Sequence, residues 1–380
     1  MRERNLGIAS NSNSPPNNHM DHTEEGWLYD GSSVNRLWEK SALGRILDNG
    51  KLILSSSELI FCINHRNIPP PNKDWLAESV TDESGLLEES AVLEALRVPG
   101  NRVMIGKNIA LMGHNSATSS WAVRWSSDKH PKVDHPVSEI IYFHSDDKFD
   151  ENELYEWCKE VTELNRIAEV LVVDEEQSVV TYRLNIQDIK GNMGPLDLSL
   201  FKKIVQIDHI TTASGGAFFP NVIDWPLEIV GIPLHGGRQV DPDELNIIRT
   251  IGNIESDFDL DTSSVSLEQA HVFGLTMSSS LLLELWGRGL NTRSGFKYGT
   301  SWRCYPGGVG EGHAPWLVID PYSKKRENTT EDWSDACLSS RLAAGVNKQW
   351  VYPVRKEGVW KFLEVSRPPS DSRWTNPTRK

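Results

Sequence analysis

Tyr305, His313 and Lys348, near the C-terminus, are residue types that together can transfer protons and stabilise negative charge. Tyr305 lies within the segment GFKYGTSWRCYPGG, His313 follows it, and Lys348 comes after a predicted helix. Taken singly, each has an ordinary structural interpretation, because strand tyrosines pack in cores, a histidine beside Ala and Pro packs, and an exposed lysine is solvated. Only the combination indicates a site, and only the second half of the chain contains it.

The elements around these residues can be read from the sequence pattern. HAPWLVIDPY alternates like a strand, and TTEDWSDACLSSRLAAG predicts a helix with Thr329 or Thr330 as its N-cap. KQWVYPV and VWKFLEV then predict a hairpin with its turn at 355–358. A small α/β subdomain should therefore position the candidate residues.

The same order of elements occurs earlier in the chain. HPVSEIIYF predicts a strand, Asp150 with Glu153 three residues later predicts the start of a helix, and VLVV and VVTYRLNI predict two further strands. Three pairs of residues align the two copies: His135 with His313, Trp157 with Trp333 and Arg166 with Arg341. In this alignment Val173 falls near the lysine position and Ser127 or Trp125 near the tyrosine position, which predicts that the first copy is inactive.

A more helical section precedes each copy. SSELIFCI and LLEESAVLEAL lie in the first half, and VSLEQAHVFGL, with Ser266 and Gln269 at capping-box spacing, and SSSLLLELWGRGL lie in the second. We expect an α/β (α+β) fold with two tandem copies of a helical or mixed N-terminal subdomain followed by a small α/β C-terminal subdomain. The expected boundaries are a disordered leader at 1–23, a structural unit at 24–190, a second unit at 191–370 divided into 191–286 and 287–370, and a tail at 371–380. Residues 230–262 are interpreted as an acidic surface insertion.

Composition limits the class of protein. The apolar stretches end well before the roughly 20 residues that a membrane helix needs, so no membrane partner is expected. The cysteines are far apart and form no CxxC pair, which indicates neither a zinc site nor disulfides and favours reduced thiols in a cytoplasmic protein. They are Cys62, Cys158, Cys304 and Cys337.

Charge is distributed unevenly along the 380 residues. The formal net charge of -14 argues against indiscriminate nucleic-acid binding, since phosphate contacts need Lys and Arg. Residues 286–380, however, contain 16 Lys or Arg against 9 Asp or Glu. The basic charge thus accompanies the candidate residues.

The C-terminal motifs resemble a known family. RGLNTRSGFKYGTSWRCYPG, HAPWLVI and LSSRLAAGVNKQWVYPV are similar to the catalytic domain of archaeal tRNA-splicing endonucleases, or tRNA-intron lyases. The resemblance is strong from Arg288 to Arg367 and reaches the rest of the chain through the duplication. Tyr298 stands where the family usually has Phe. The layout resembles the fused two-unit class, in which one chain carries one structural and one catalytic unit.

The resemblance implies a reaction and roles for the candidate residues. Tyr305 would take the proton of a ribose 2'-OH, Lys348 would stabilise the phosphorane and the phenolate, and His313 would protonate the departing 5'-oxygen. The products would be a 2',3'-cyclic phosphate and a 5'-hydroxyl. No metal or other cofactor is implied.

It also implies a substrate and an assembly. The substrate would be precursor tRNA with a bulge-helix-bulge, whose bulged base is sandwiched by Arg341 and by either Arg367 or Lys361. A helix-capping role is the alternative for Arg341. An acidic turn of the structural unit, formed by Asp174, Glu175 and Glu176, would contact a basic cleft of a partner chain in a homodimer, and an ordinary solvated turn is the alternative.

Two other functions remain open at this point. One is a non-catalytic RNA-binding or structural subunit that supports a separate catalytic chain. The other is a metal-dependent nuclease, for which Asp320 and Lys324 are the only loose candidates, with Pro321 interrupting the strand between them.

Overall fold

The first half of the chain forms a small sheet with helices, followed by five strands of a large sheet. The computed structural model describes residues 20–254, 274–323 and 330–377. The strands of this half are β1 (Asp21–Thr23), β2 (Gly26–Tyr29), β3 (Arg45–Ile46), β4 (Leu52–Leu54), β5 (Arg102–Ile105), β6 (Ala122–Trp125), β7 (Ser138–His144), β8 (Ile167–Val173) and β9 (Val179–Gln187). Its α-helices are α1 (Ser56–Arg66), α2 (Trp75–Asp82), α3 (Leu86–Arg97), α4 (Asn108–Leu111) and α5 (Glu151–Glu163), and a π-helical turn lies at Arg36–Lys40.

The second half repeats this order. Its strands are β10 (Ile210–Thr211), β11 (Ala217–Pro220), β12 (Ile232–Leu234), β13 (Gly237–Val240), β14 (Asn291–Ser294), β15 (Trp302–Tyr305), β16 (Trp316–Val318), β17 (Gln349–Lys356) and β18 (Val359–Ser366). Its α-helices are α6 (Leu200–Ile204), α7 (Pro242–Gly252), α8 (Met277–Gly287) and α9 (Trp333–Gly345), and 3₁₀ turns lie at Phe296–Tyr298 and Ser370–Ser372. No helix within these described ranges is long and apolar enough to cross a membrane.

The sheets have matching topologies in the two halves. The small sheets are ordered β1-β2-β4-β3 and β10-β11-β13-β12, and the large sheet is ordered β14-β15-β16-β17-β18-β9-β8-β7-β6-β5. Within each half the strands before and after the helix α5 or α9 pair in parallel, and the other neighbours are antiparallel. Antiparallel pairing of β9 with β18, from Arg183↔Ser366 to Gln187↔Phe362, joins the halves. The expected α+β class is confirmed.

Side-chain caps begin the helices α1, α5, α7, α8 and α9. The side chains of Ser55 and Asp241 form reciprocal capping boxes with the glutamate three residues later, ahead of α1 and α7. Asp150, Thr276 and Asp332 accept backbone N–H groups at the starts of α5, α8 and α9. Each cap satisfies an N–H group that the first helical turn leaves unpaired.

One apolar core is shared by both halves. It lies on the face of the large sheet that α5 and α9 cover, and it includes the fully buried indoles of Trp157, Trp333 and Trp350. Tyr182 of β9 donates a hydrogen bond from its hydroxyl to the carbonyl of Cys337 in α9. The helix α9 of the second half therefore contacts the strand β9 of the first half, next to the pairing of β9 with β18.

The strand register gives the structural equivalence of the two halves. Ser138 pairs with Ile167 in the first parallel pair, and Trp316 pairs with Gln349 in the second. Equivalent residues of the two halves are therefore 178 positions apart before the helix, as Ser138 and Trp316 are, and 182 positions apart after it, as Ile167 and Gln349 are. The pairing of His135 with His313 agrees with this register. The pairings of Trp157 with Trp333 and of Arg166 with Arg341 are wrong, because the second half has four more residues between strand and helix.

Arg166 instead lies at the place of Lys348. The backbone N–H of each donates to the carbonyl five residues earlier, Arg166 to Val161 at 3.2 Å and Lys348 to Ala343 at 3.0 Å. An asparagine with positive φ precedes each of them, at +55° and +54°. The first-half equivalent of the lysine is thus another cation, and the assignment of Val173 to this place is wrong.

Other sequence interpretations change as well. Residues 21–23 of the expected leader form β1, and Met20 is buried, while residues 1–19 lie outside the described ranges. The expected surface insertion contributes β12, β13 and the amphipathic helix α7, so its described part, 230–254, belongs to the fold. The helix α9 is capped by Asp332; Thr330 precedes the cap and Thr329 is not described. The proposed Ser266–Gln269 capping box also lies outside the described residues.

The C-terminal segment crosses back to the first half. Thr181 in β9 donates from its hydroxyl to the carbonyl of Trp374 at 2.7 Å and accepts from the N–H of Trp374 at 2.9 Å. The guanidinium carbon of Arg124 lies 4.9 Å from the Trp374 ring centroid. Residues 374–376, which the sequence placed in a tail, thus pack on the sheet of the first half.

Candidate active site

The fold brings Tyr305, His313 and Lys348 to one end of three adjacent strands. Tyr305 is the last residue of β15, His313 lies three residues before β16, and Lys348 immediately precedes β17. Trp316, the first residue of β16, pairs with Cys304 on one side and Gln349 on the other. Adjacent positions on paired strands meet at the same end of a sheet, so sequence segments about 40 residues apart converge there.

Lys348 is fixed to the loop that carries the histidine. Its Nζ donates a hydrogen bond to the carbonyl oxygen of Ala314, the residue after His313. The same nitrogen lies 5.7 Å from the ring centroid of Tyr298, within the range of cation–π attraction. Lys348 is half-buried, so its charge is held at the site.

His313 is exposed in the loop before β16. Gly308 donates its N–H to the Glu311 carboxylate at 2.9 Å, and Glu311 donates its own N–H to the Gly308 carbonyl at 3.2 Å. These bonds close a turn two residues before the histidine. Within the described part of the chain the His313 ring makes no hydrogen bond, so it remains available to a ligand.

Tyr305 is buried at the end of its strand. Asn192, in the segment that links the halves, donates its N–H to the carbonyl of Pro306 at 2.5 Å, directly after the tyrosine. The neighbouring Cys304 points to the opposite face, where burial raises the pKa of its thiol and leaves it unreactive. The strand therefore presents the phenol, and not the thiol, to the site.

Comparison with known proteins matches this part of the chain to a protein family. Residues 281–360 match the model of the tRNA intron endonuclease, catalytic C-terminal domain. The chain carries a tRNA-intron endonuclease domain. The matched range begins in α8, ends in β18 and includes Tyr305, His313 and Lys348. A comparison with curated proteins gave no match.

This endonuclease domain has no second copy of the three residues in the first half. Trp125 occupies the place of Tyr305, since each is the last residue of its strand and follows equivalent pairings. Its indole N–H donates to the carbonyl of Asp134 at 2.9 Å. The placement of Trp125 is thus the correct one of the two alternatives, and Ser127 lies beyond the strand. His135 remains, but the tyrosine does not.

The first-half cation is also neutralised. Arg166 donates to the Glu139 carboxylate at 2.6 Å and to the carbonyl of Asn115 at 2.6 Å. Glu139 is fully buried and occupies the place of Leu317 in the endonuclease domain. The first half therefore has an ion pair, Arg166 with Glu139, at the positions where the endonuclease domain has Lys348 and Leu317.

Two arginines predicted to bind RNA, Arg341 and Arg367, both act electrostatically on the hydroxyl of Tyr182. Arg341 is exposed on α9, seven residues before Lys348, and Arg367 is exposed immediately after β18. The pKa of that hydroxyl is raised mainly by burial and lowered in part by these two cations. Lys361 is exposed within β18, opposite Val354. At the place of Arg341 the first half has Lys159 and not Arg166, so the predicted equivalence of Arg166 with Arg341 gives no support to a helix-capping role for Arg341.

The acidic turn between β8 and β9 is organised by one of its three acids. Asp174 accepts the N–H groups of Glu176 at 3.0 Å and Ser178 at 2.8 Å. Glu175 and Glu176 are exposed. Asp174 therefore shapes the turn, and the two glutamates present its charge.

Within residues 20–254, 274–323 and 330–377, no group of three or more His, Cys, Asp or Glu side chains could hold a metal ion. Asp320, the loose candidate for a metal ligand, is buried and accepts the N–H of Tyr322 at 3.0 Å. Lys324 lies outside the described residues. The sequence missed two features: the contact of the linking segment with Pro306, and Arg303, whose spacing of two from Tyr305 places it on the same face of the strand.

Proposed function

We propose that the chain cleaves precursor tRNA at intron–exon junctions by metal-independent attack of a ribose 2'-hydroxyl. The observation that carries this proposal is the hydrogen bond from Lys348 to the carbonyl beside His313, at the strand ends that also bear Tyr305. This bond links Lys348 to the loop that carries His313, at the end of the sheet where β15 ends in Tyr305. The endonuclease family match supplies the reaction class.

The proposed chemistry assigns one task to each side chain. Tyr305 takes the proton from the 2'-hydroxyl, Lys348 stabilises the negative charge of the phosphorane, and His313 protonates the 5'-oxygen as it leaves. The products are a 2',3'-cyclic phosphate and a 5'-hydroxyl. A cation close to the phenol would favour the form that accepts the proton.

Recognition of the bulge-helix-bulge is assigned to the exposed cations. Arg341 and Arg367 both act electrostatically on the Tyr182 hydroxyl, and guanidinium groups stack on unpaired bases. We keep Arg341 with Arg367 as the proposed pair, because Lys361 lacks the planar guanidinium that stacks on a base.

A chain with one active site needs a partner to make two cuts, and we propose a homodimer. The exposed Glu175 and Glu176 would contact a basic surface of the partner. Sedimentation of the double variant Glu175→Lys/Glu176→Lys tests this contact. We expect the variant to be monomeric where the wild type is dimeric; an unchanged dimer would exclude the turn as the contact.

The decisive experiment measures cleavage of a bulge-helix-bulge precursor tRNA in EDTA. His313→Ala should reduce the single-turnover rate by about 10²- to 10⁴-fold, while His135→Ala, in the equivalent loop of the first half, should cleave normally. Analysis of the product ends should show the cyclic phosphate. Cleavage that requires Mg²⁺ would favour a metal-dependent nuclease, and RNA binding without cleavage would favour a binding subunit.

A further inference from the structure

Arg303 lies within cation–π range of two tyrosines of the endonuclease domain. Its guanidinium carbon is 5.9 Å from the ring centroid of Tyr305 and 5.9 Å from that of Tyr298. Arg303 and Tyr305 are two residues apart in β15, so their side chains emerge from the same face of the strand. The Nε of Arg303 donates to the carbonyl of Ser294 at 2.8 Å, which holds the guanidinium in place.

Arg303 and Lys348 share one aromatic neighbour. The Tyr298 ring lies 5.9 Å from the guanidinium carbon of Arg303 and 5.7 Å from Nζ of Lys348. Within the described part of the chain, neither cation forms an ion pair with a carboxylate. Two cations near one ring, neither paired with a carboxylate, favour binding of an anion in their vicinity.

Two other arginines of this fold, Arg293 and Arg166, each have a carboxylate that balances their charge. Arg293 pairs with Arg303 across β14 and β15, and burial lowers its pKa while the attraction of Glu244 opposes that shift. Arg166, in the first half, is paired with Glu139. The strand position equivalent to Arg303 in the first half is Val123. The uncompensated second cation is therefore specific to the half that has the tyrosine and the lysine.

We propose that Arg303 is a further catalytic residue that binds a non-bridging oxygen of the scissile phosphate and stabilises the phosphorane together with Lys348. This inference rests on the proposed function. As the 2'-oxygen bonds to phosphorus and the bond to the 5'-oxygen breaks, the phosphate passes from one negative charge to two and back to one. Arg303 exchanges no proton, since the 2'-hydroxyl proton goes to Tyr305 and the 5'-oxygen receives its proton from His313.

The test compares Arg303→Gln with Arg303→Lys in single-turnover cleavage at saturating precursor tRNA. Loss of one preorganised charged donor lowers a rate by about 10²- to 10³-fold, which is the loss we expect for Arg303→Gln. Arg303→Lys should recover at least about tenfold, because it restores the charge. Binding of the same RNA with a 2'-deoxy nucleotide at the cleavage position should stay within about threefold of the wild type, since the contact strengthens in the transition state. Lys159→Gln, an exposed charge loss in the first half, serves as the matched control.

Other outcomes would overturn the inference in distinguishable ways. Wild-type protein that binds the 2'-deoxy RNA but cleaves no precursor would refute the proposed function and this inference with it. If the wild type cleaves and Arg303→Gln cleaves within about threefold of it, the inference fails and the proposed function stands. Equal losses in the Gln and Lys variants, accompanied by lower unfolding midpoints, would show that Arg303 only holds the β14–β15 hairpin through Ser294.

Discussion

Lys348 and Ala314 are joined by a hydrogen bond from the lysine Nζ to the alanine carbonyl oxygen. The bond crosses from the start of β17 to the loop before β16, so the cation also fixes the residue next to His313. The side chain can therefore serve both the charge and the geometry of the site. Substitution of Lys348 by an apolar residue would remove both the charge and this hydrogen bond.

We predict that Lys348→Met lowers the single-turnover cleavage rate by about 10²- to 10³-fold. Lys348→Arg should also lose at least about tenfold, although it keeps the charge. The first half shows the reason: Arg166, at the same place, is held by the carboxylate of Glu139, and the endonuclease domain has Leu317 there. Rates measured with precursor tRNA in EDTA would check both variants, and wild-type activity in Lys348→Arg would contradict this account.

Arg166→Met should destabilise the protein without changing the cleavage rate of the folded molecules. The substitution leaves the fully buried Glu139 without its cation, and breaking such a pair costs about 3–5 kcal/mol. Denaturant unfolding measures the loss. Lys159→Met, which removes an exposed charge from the same half, should have little effect. Similar stability of the two variants would show that Glu139 is satisfied by the N–H of Ala117 and the hydroxyl of Ser120 alone.

Gly191→Ala should destabilise the contact between the linking segment and the endonuclease domain. A Cβ atom at Gly191 would lie 1.9 Å from the carbonyl oxygen of Gly289, so the backbone must move. Gly194→Ala is the matched control, since a Cβ atom there meets nothing within 4 Å. We expect a lower thermal midpoint and slower cleavage for the first variant only, because Asn192 of the displaced segment donates to Pro306 beside Tyr305.

Trp374→Ala should lower the stability of the first half although residue 374 belongs to the C-terminal segment. The indole packs on Arg124, and the substitution removes this stacking and the apolar surface it covers, a loss of about 1–3 kcal/mol. Thr375→Ala, at the exposed neighbouring residue, is the control. Amide hydrogen exchange in β9 would follow the effect, and unchanged protection there would refute the stabilising role of this segment.

Helix caps and hairpins were predicted well, because each depends on residues that are close together in the sequence. Asp150 caps its helix, and the hairpin after α9 lies where the segments KQWVYPV and VWKFLEV predicted it. The short strands of the two small sheets escaped prediction because two to four residues carry too little periodicity. The expected insertion at 230–262 was misjudged because its polar composition concealed the edge strand β12 and the buried face of α7.

In the candidate site, too, the features that depend on local sequence were predicted, and those that depend on the pairing of strands were not. Motif spacing brought Tyr305, His313 and Lys348 forward together. The equivalence of Arg166 with Lys348 was missed, because four extra residues lie between strand and helix in the second half and only the sheet register locates them. The place of Arg303 beside two rings also depends on cross-strand geometry, which a linear pattern does not contain.

The antiparallel pairing of β9 with β18 has a consequence for how the protein behaves on dilution. Because both strands belong to one chain, the two halves meet at an effective concentration that the linking segment sets, and the abundance of the protein does not affect it. The ten-stranded sheet is then as complete at nanomolar as at micromolar protein. It also occupies the outer edges of β9 and β18, so a second chain that joins the assembly must use another surface.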